Sequence, residues 1–413
     1  MLKKATKILV LILAGEVIFL LPFVLTRVFR PTFLKVFDVT NFELGSAFAA
    51  YGVVAMVSYF FGGPLADRFS ARKLLTLSLI ITSLGGVVMA MIPSLTLLTM
   101  LYAFWGMTTI LLFWAAFTKA TRMTGDDHSQ GNTFGMVDGG RGLVAALLAS
   151  GSVFILSGFL PHGVDQASVD QLSRALSLVI LVFSVLTLLT AVFTWVALGE
   201  DRIERGMSDK MTWIGVKNVV RRSSIWKQSL ILLCAYVGYK CTDDFSLFAS
   251  EVLLFNDVNA AHAATIAFWT RPFAAVVAGF LGDKLGHSKM TSVCFMLMVI
   301  GGLAIYSGVL QPGVATLALF VLASTGLAIF GLRGLYYALF QESKIPLEYT
   351  GSAVGIVSVI GFTPDIFFGP LMGYILDSAP GAAGHENLFG LLSLFSLLGF
   401  WISIRFKKPS FFP

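Results

Sequence analysis

Gly63-Pro64-Leu65-Ala66-Asp67-Arg68, ending on Lys73, returns 216 residues later as Gly279-Phe280-Leu281-Gly282-Asp283-Lys284, ending on Lys289. Each copy falls between the second and third apolar run of its half of the chain, which marks a tandem duplication. A second echo, Gly131 and Gly135 against Gly351 and Gly355 at an offset of 220, opens the fifth run of each half. The loop itself has a mechanical sense. Glycine permits a tight exit from one helix. Asp67 or Asp283 can face positive helix N-termini, while Arg68, Lys73, Lys284 and Lys289 stay among anionic headgroups. These six charged residues are the candidate gate of a protein that rocks between two states; a capped turn without gating function is the plainer alternative.

Working outward, apolar runs occur near 8–31, 44–64, 74–92, 96–118, 134–159, 174–198, 228–253, 262–281, 290–309, 314–338, 351–376 and 388–406. One helical crossing of a bilayer takes about 20 residues, so the pattern predicts twelve transmembrane helices in an all-α membrane protein. With 56% hydrophobic and 13% charged residues in 413, and mean hydropathy +0.84, a soluble domain is excluded. The domain expectation is an N-terminal six-helix bundle over 1–199, a charged cytoplasmic connector over 200–227 and a C-terminal six-helix bundle over 228–413. Lys3, Lys4 and Lys7 ahead of a long apolar core resemble a signal peptide, but no small-residue cleavage site follows, and the segment reads as a retained first helix.

The net charge of +6 does not imply a nucleic-acid partner. Twenty-one of the twenty-nine Lys and Arg fall in the termini or the loops on one side, which places both termini in the cytoplasm by the positive-inside rule. Cys234, Cys241 and Cys294 lie in apolar runs without metal-ligand spacing, and the five histidines are scattered mostly in or beside loops. The chain carries no Ser-His-Asp order and no phosphate-cradling GxxxxGK loop. No enzyme activity, cofactor or metal is therefore expected; the partners are a small-molecule substrate, the lipid bilayer and, if protons drive the cycle, a co-transported proton. A monomer is expected.

Ionisable groups inside the apolar runs are functional candidates, because an unpaired charge there costs a few kcal/mol or more. Glu16 and Arg27, eleven residues apart, point the same way but sit about 16 Å apart along a helix. Glu16 is a candidate proton carrier or a carboxylate bonded to a neighbouring helix. Arg27 either binds an anion in a cavity or snorkels to outer headgroups beside Arg30. Lys240 can meet Asp244 at i, i+4, a purely structural pair, or be released to substrate when Asp244 takes a proton. Since Lys240 follows Arg27 by 213 residues, close to the repeat offset, the two bases occupy nearly equivalent places in the two halves, which argues for a shared anion site. Asp138 and Arg141 are i, i+3 neighbours among glycines, giving an internal ion pair or a third cavity base. Arg271, Arg333 and Asp365 receive no role beyond a network or gate. Trp114, Tyr336 and Tyr337 are among the aromatic residues that can stack on a substrate, although 37 Phe make aromatic content a weak discriminator.

Over its whole length, on these repeated loops, the chain resembles the major facilitator superfamily. The resemblance implies the major facilitator fold, two pseudo-symmetric six-helix bundles around a central cavity whose access alternates between the two sides. Ser70 stands where a loop glycine is common, while the second copy keeps Gly286. Within the superfamily, Leu25-Thr26-Arg27-Val28-Phe29-Arg30 is similar to the first-helix run of the organophosphate:phosphate antiporter family. That family has Arg at the place of Arg27, a second Arg at the place of Lys240 and a cavity His roughly at Arg141, and it uses them on the substrate's phosphate. Val28 replaces a basic residue and Lys240 replaces a bidentate Arg, so an anionic group on the substrate is carried over and phosphate exchange is not. Phe113 to Lys119 and Gly131 to Gly142 look closer to a poorly characterised bacterial branch.

The expectation is thus a secondary active transporter of a small organic anion in a bacterial cytoplasmic (inner) membrane, proton-coupled or exchanging. Arg27, Lys240, Arg141, Trp114, Tyr336 and Tyr337 are its substrate contacts, and Glu16 or Asp244 its coupling carboxylate. Two alternatives stand beside it: a proton-coupled carrier of zwitterionic or amphipathic solutes, and a membrane receptor or scaffold that transports nothing.

Overall fold

A computed structural model describes residues 2–124, 130–160, 167–199, 219–342 and 350–406. Among them every regular element is helical. Eleven helices are long and apolar enough to cross a membrane: α1 (Lys4–Val28), α2 (Asn41–Arg68), α3 (Ala71–Ala90), α4 (Leu95–Thr124), α5 (Gly135–Gly158), α6 (Val169–Ala197), α8 (Asp257–Leu285), α9 (His287–Tyr306), α10 (Pro312–Leu335), α11 (Ala353–Ser378) and α12 (Ala382–Ile404). The twelfth crossing, α7, is interrupted: Ser223–Cys241 tightens into a 3-10 turn over Thr242–Asp244 and resumes as Phe245–Glu251. The expected connector at 200–227 is described only from residue 219.

Local sequence sets several helix starts. Thr40 and Glu43 form a reciprocal cap at the start of α2, Ser168 and Gln171 do the same for α6, and Asn256 caps α8. The two repeated loops turn by different means. In the first, Ser70 at φ −66° accepts from the Lys73 N–H as the cap of α3. In the second, Gly286 takes φ +98°, a conformation closed to most side chains. Serine and glycine at equivalent places are two solutions to one turn.

The twelve helices form two six-helix bundles that touch at one end. There Gly45 of α2 lies so close to Gly369 of α11 that a Cβ would come within 2.1 Å of the Gly369 carbonyl oxygen, and Gly52 and Gly373 are equally confined. Small residues let the backbones approach this closely. On the other side of the seam, Gly142 of α5 meets Arg271 and Pro272 of α8, and Phe268 and Ala261 of α8 pack into the core of the N-terminal bundle. Toward the repeated loops the contact is lost: Gly135, Gly139 and Gly279 have no neighbour within 4 Å where a Cβ would project. The bundles therefore close a cleft at the far end, the seal, and leave it open at the repeated-loop end, the mouth.

Gly45→Val is expected to lower the melting temperature of the detergent-purified protein, an overpacking cost of about 1–3 kcal/mol. Gly151→Val, whose added side chain would meet open space, is expected to leave it unchanged. A pair of variants that melt together would contradict the seal at Gly45.

Candidate functional site

The helices that reach the cleft are irregular at mid-depth. Pro22 in α1 lacks an N–H and cannot continue the ladder, and the helix widens into a π segment over Leu20–Val24. A second π segment, Met107–Trp114, lies in α4. These breaks, with the 3-10 turn of α7, aim side chains between the bundles rather than along one helix.

Nearest the mouth, Glu16 of α1 is clamped by two guanidinium groups. Arg271 of α8 reaches its Oε1 at 3.0 Å and Arg141 of α5 its Oε2 at 3.4 Å. Arg141 also donates to the Gly15 carbonyl at 3.0 Å and lies 3.3 Å from Asp138, whose side chain is 59% exposed and so looks into the cleft. Glu16 is thereby the ion-pair partner of neighbouring helices, one from each bundle.

Deeper, Arg27 donates through Nε to Asp243 Oδ1 at 2.6 Å and through a terminal nitrogen to the Tyr239 hydroxyl at 3.0 Å. It is buried and does not snorkel to lipid. Lys240 sits 3.5 Å from Asp243 Oδ2 and 3.5 Å from Asp365 of α11, which also accepts from the Tyr236 hydroxyl. The i, i+4 pair of Lys240 with Asp244 does not form. The 3-10 turn that begins at Thr242 brings residue i+3 under Lys240 instead, and Asp244 turns away to His385 at 2.8 Å. The two pseudo-equivalent bases, Arg27 and Lys240, thus converge on one carboxylate.

At the seal, Arg30 is fully buried with both Nε and a terminal nitrogen on Asn41 Oδ1, at 3.0 and 2.9 Å. Asn41 and Phe42 donate in turn to Asp377 of α11. Lys35 meets Asp257 at 3.0 Å across the bundles. The headgroup position proposed for Arg30 is corrected by these contacts, since the pivot at Phe29 before Pro31 swings the guanidinium inward. His385, grouped with loop histidines, is a fully buried residue of α12.

Arg333 of α10 is the residue whose importance its sequence position does not reveal. Half-buried, its guanidinium lies 4.3 Å from the centre of the Tyr239 ring. Among the described residues no carboxylate comes within 4.0 Å of it. Among the described residues, five central cations, Arg27, Arg141, Lys240, Arg271 and Arg333, stand with four carboxylates, Glu16, Asp138, Asp243 and Asp365, one cation more than carboxylates. Of the aromatic candidates, Tyr337 bonds Ser358 at 2.8 Å and stacks edge-on to Tyr336, and Trp114 stands half-buried beside Phe19 and Arg141. Trp269 is tied to Ser150 across the seal, and Trp105 is core, bonded to the Thr82 carbonyl.

The repeated-loop charges stand apart from this cluster, at the mouth. Asp67, Arg68, Lys73, Asp283, Lys284 and Lys289 are all exposed; Asp283 lies 3.5 Å from His287, and Lys284 sits over the Phe280 ring. No group of metal-ligating residues occurs among the described residues.

A polar cleft between two matching six-helix bundles, with its charges paired across the seam, defines a membrane carrier. The chain belongs to the Major Facilitator Superfamily, whose profile matches residues 12–363, and is a transporter rather than an enzyme. It is 27% identical over 393 residues to the inner membrane protein YqcE of Escherichia coli (strain K12), covering 91% of this chain and 90% of that one. A shorter match, 28% over 187 residues, covers 43% of this chain and 45% of the probable nitrate transporter NarT of Staphylococcus haemolyticus (strain JCSC1435). In fold it is similar to a bacterial homologue of the human lysosomal transporter Spinster, solved inward-facing and unoccupied, with TM-score 0.73, 16% identity and 99% of both chains covered. The protein is a multi-pass protein of the inner membrane.

Removing one partner of a buried ion pair strands the other. Asp243→Asn is therefore expected to cost about 3–5 kcal/mol, read as a fall in melting temperature. Arg27→Gln combined with Asp243→Asn is expected to recover part of that loss, the coupling expected of residues in contact. Strict additivity would refute the pairing.

Proposed function

We propose that this carrier moves a small organic anion of single negative charge by alternating access, and that Arg333 is its principal electrostatic contact. The observation that carries this reading is Arg333, held against the Tyr239 ring with no carboxylate within 4.0 Å among the described residues. An unneutralised guanidinium is costly at this depth, and a monoanion offsets that cost while adding bidentate hydrogen bonds. The tyrosine rings favour a substrate with an organic face. Kinship over part of the chain with a probable nitrate transporter supports a monovalent anion as cargo.

Arg141 and Lys240 are secondary contacts that a bound anion reaches by competing with Glu16, Asp138 and Asp365, and Arg27 joins them when the seal parts from Asp243. Trp114, Tyr336 and Tyr337 line the path. The basic loops support a cytoplasmic mouth and cytoplasmic termini; on this reading the open cleft faces inward, the carrier works as a monomer, and the connector runs over 200–227 between bundles at 1–199 and 228–413. The exposed charges of the repeated loops, from Asp67 to Lys73 and Asp283 to Lys289, are then unlatched and engage when the mouth closes.

Thermal-shift measurement with nitrate, monocarboxylates, sulfonates, phosphorylated sugars, amino acids and peptides tests this reading, since a ligand of the native state raises its melting temperature by mass action. Monoanions are expected to stabilise the wild type. Arg333→Gln is expected to weaken them about ten- to a hundredfold, the loss of a charge-assisted contact of about 1.5–3 kcal/mol. Stabilisation by zwitterions alone, with Asp138 as the cation's partner, would replace this reading with the zwitterion carrier. Binding without movement across proteoliposomes would replace it with the receptor.

A further inference from the structure

At the seal, three titratable groups stand in a line from solvent into the protein. Glu251, at the end of α7, has a side chain 37% exposed and lies 3.2 Å from Nε2 of His385. The imidazole is itself fully buried, with Nδ1 2.8 Å from Oδ2 of Asp244. Asp244 is fully buried too, and its other oxygen, Oδ1, has no partner among the described residues. The line ends one residue from Asp243, the carboxylate that holds Arg27 across the bundles.

We propose that Glu251, His385 and Asp244 form a proton-binding site fed from the sealed face, and that its occupancy sets how firmly the seal holds. A proton taken up by Glu251 passes to Nε2, while Nδ1 gives one to Oδ2 of Asp244. The imidazole ends neutral with its tautomer exchanged, and the site has gained one proton. Whichever atom keeps it, one negative charge is removed from the C-terminal side of the seal.

The N-terminal side of that seal is positive. Arg27 of α1 reaches Asp243 of α7, and Arg30, just beyond α1, lies within the field of Asp244, Asp243, Asp377 and Glu251. Lys240 and Asp243 lie on α7 itself, and Lys35 with Asp257 closes the adjoining corner. The Phe248 ring stands edge-on to the imidazole; of the titratable groups on α9 and α12, Tyr306 packs beside Gly390 and Glu386 faces Gly308. Loading the site therefore weakens the attraction between α1 and α7, so acid on the sealed face favours parting of the seal. Emptying it tightens the seal and keeps the mouth open. The site rests on the alternating-access reading above and does not depend on which solute is carried.

Spin labels on Met91→Cys and Gln311→Cys, exposed positions beyond α3 and before α10, report the separation of the two bundles at the seal by pulsed electron spin resonance. The native cysteines are buried and stay unlabelled. In the full-length protein in nanodiscs, the parted population is expected to grow at least about threefold as pH falls from about 8.5 to about 5.5, the range in which a histidine-linked site changes charge. Asp244→Asn mimics the loaded site and is expected to stay parted at every pH, whereas His385→Gln breaks the line and is expected to flatten the response. Glu251→Gln, at the exposed end and safe for folding, is expected to flatten it as well. Two separations without pH dependence in the wild type, or an unchanged response in His385→Gln and Glu251→Gln, would overturn the proton site and leave alternating access standing. One separation under all conditions would overturn both.

Discussion

A charge inside a bilayer has to be neutralised by another charge, and here most of the neutralising partners lie on a different helix. That requirement organises the molecule. The charge of Glu16 on the first helix is paired with Arg141 of its own bundle and Arg271 of the other. Arg27 is satisfied only across the seam, by Asp243. Pairing in the low-dielectric interior therefore acts twice, holding each bundle together and holding the two bundles against each other at one end. A change of state cannot simply break these contacts, because bare ions at this depth are too costly. They have to be exchanged for others, and a carrier's cycle is such an exchange.

Hydropathy, loop recurrence and the distribution of basic residues are local or one-dimensional properties, and they made the twelve crossings and the duplication legible. Apart from the i, i+3 pair of Asp138 and Arg141, the partners of the buried charges were not legible. Lys240 and Asp244 have the spacing of a helical ion pair, but the helix tightens at Thr242 and the pairing shifts by one residue to Asp243, sending Asp244 to a histidine 141 positions away. Arg30 reads as an interfacial residue, yet the turn at Phe29 buries it on Asn41. Arg333 looks like one more isolated base in a long apolar run. Its significance lies in the carboxylates that fail to reach it, which only the assembled bundles reveal.

The duplication adds a constraint of its own. Arg27 and Lys240 stand at nearly equivalent places in the two halves, and their equivalence suggested a common anion between them. In this state the anion they share is a side chain, Asp243, within reach of both. The copies have diverged elsewhere as well, with Ser70 capping one loop where Gly286 bends the other. Symmetry is therefore kept in where charge sits and relaxed in how the backbone delivers it.

For the anionic cargo proposed above, a protein carboxylate between two bases changes what the cargo must do. It cannot merely occupy an empty positive site; it must either displace Asp243 or bind where no carboxylate has arrived. Displacement would cost the desolvation of a released aspartate, unless that aspartate is protonated or finds another cation. Arg333 carries no such cost, because no carboxylate among the described residues lies within 4.0 Å of it. On the proposed reading, an anion entering from the mouth meets Arg333. It then lies near Tyr239, the residue that also holds Arg27. Tyr239 thus touches both Arg333 and Arg27, a single side chain shared between the half-buried cation and the seal.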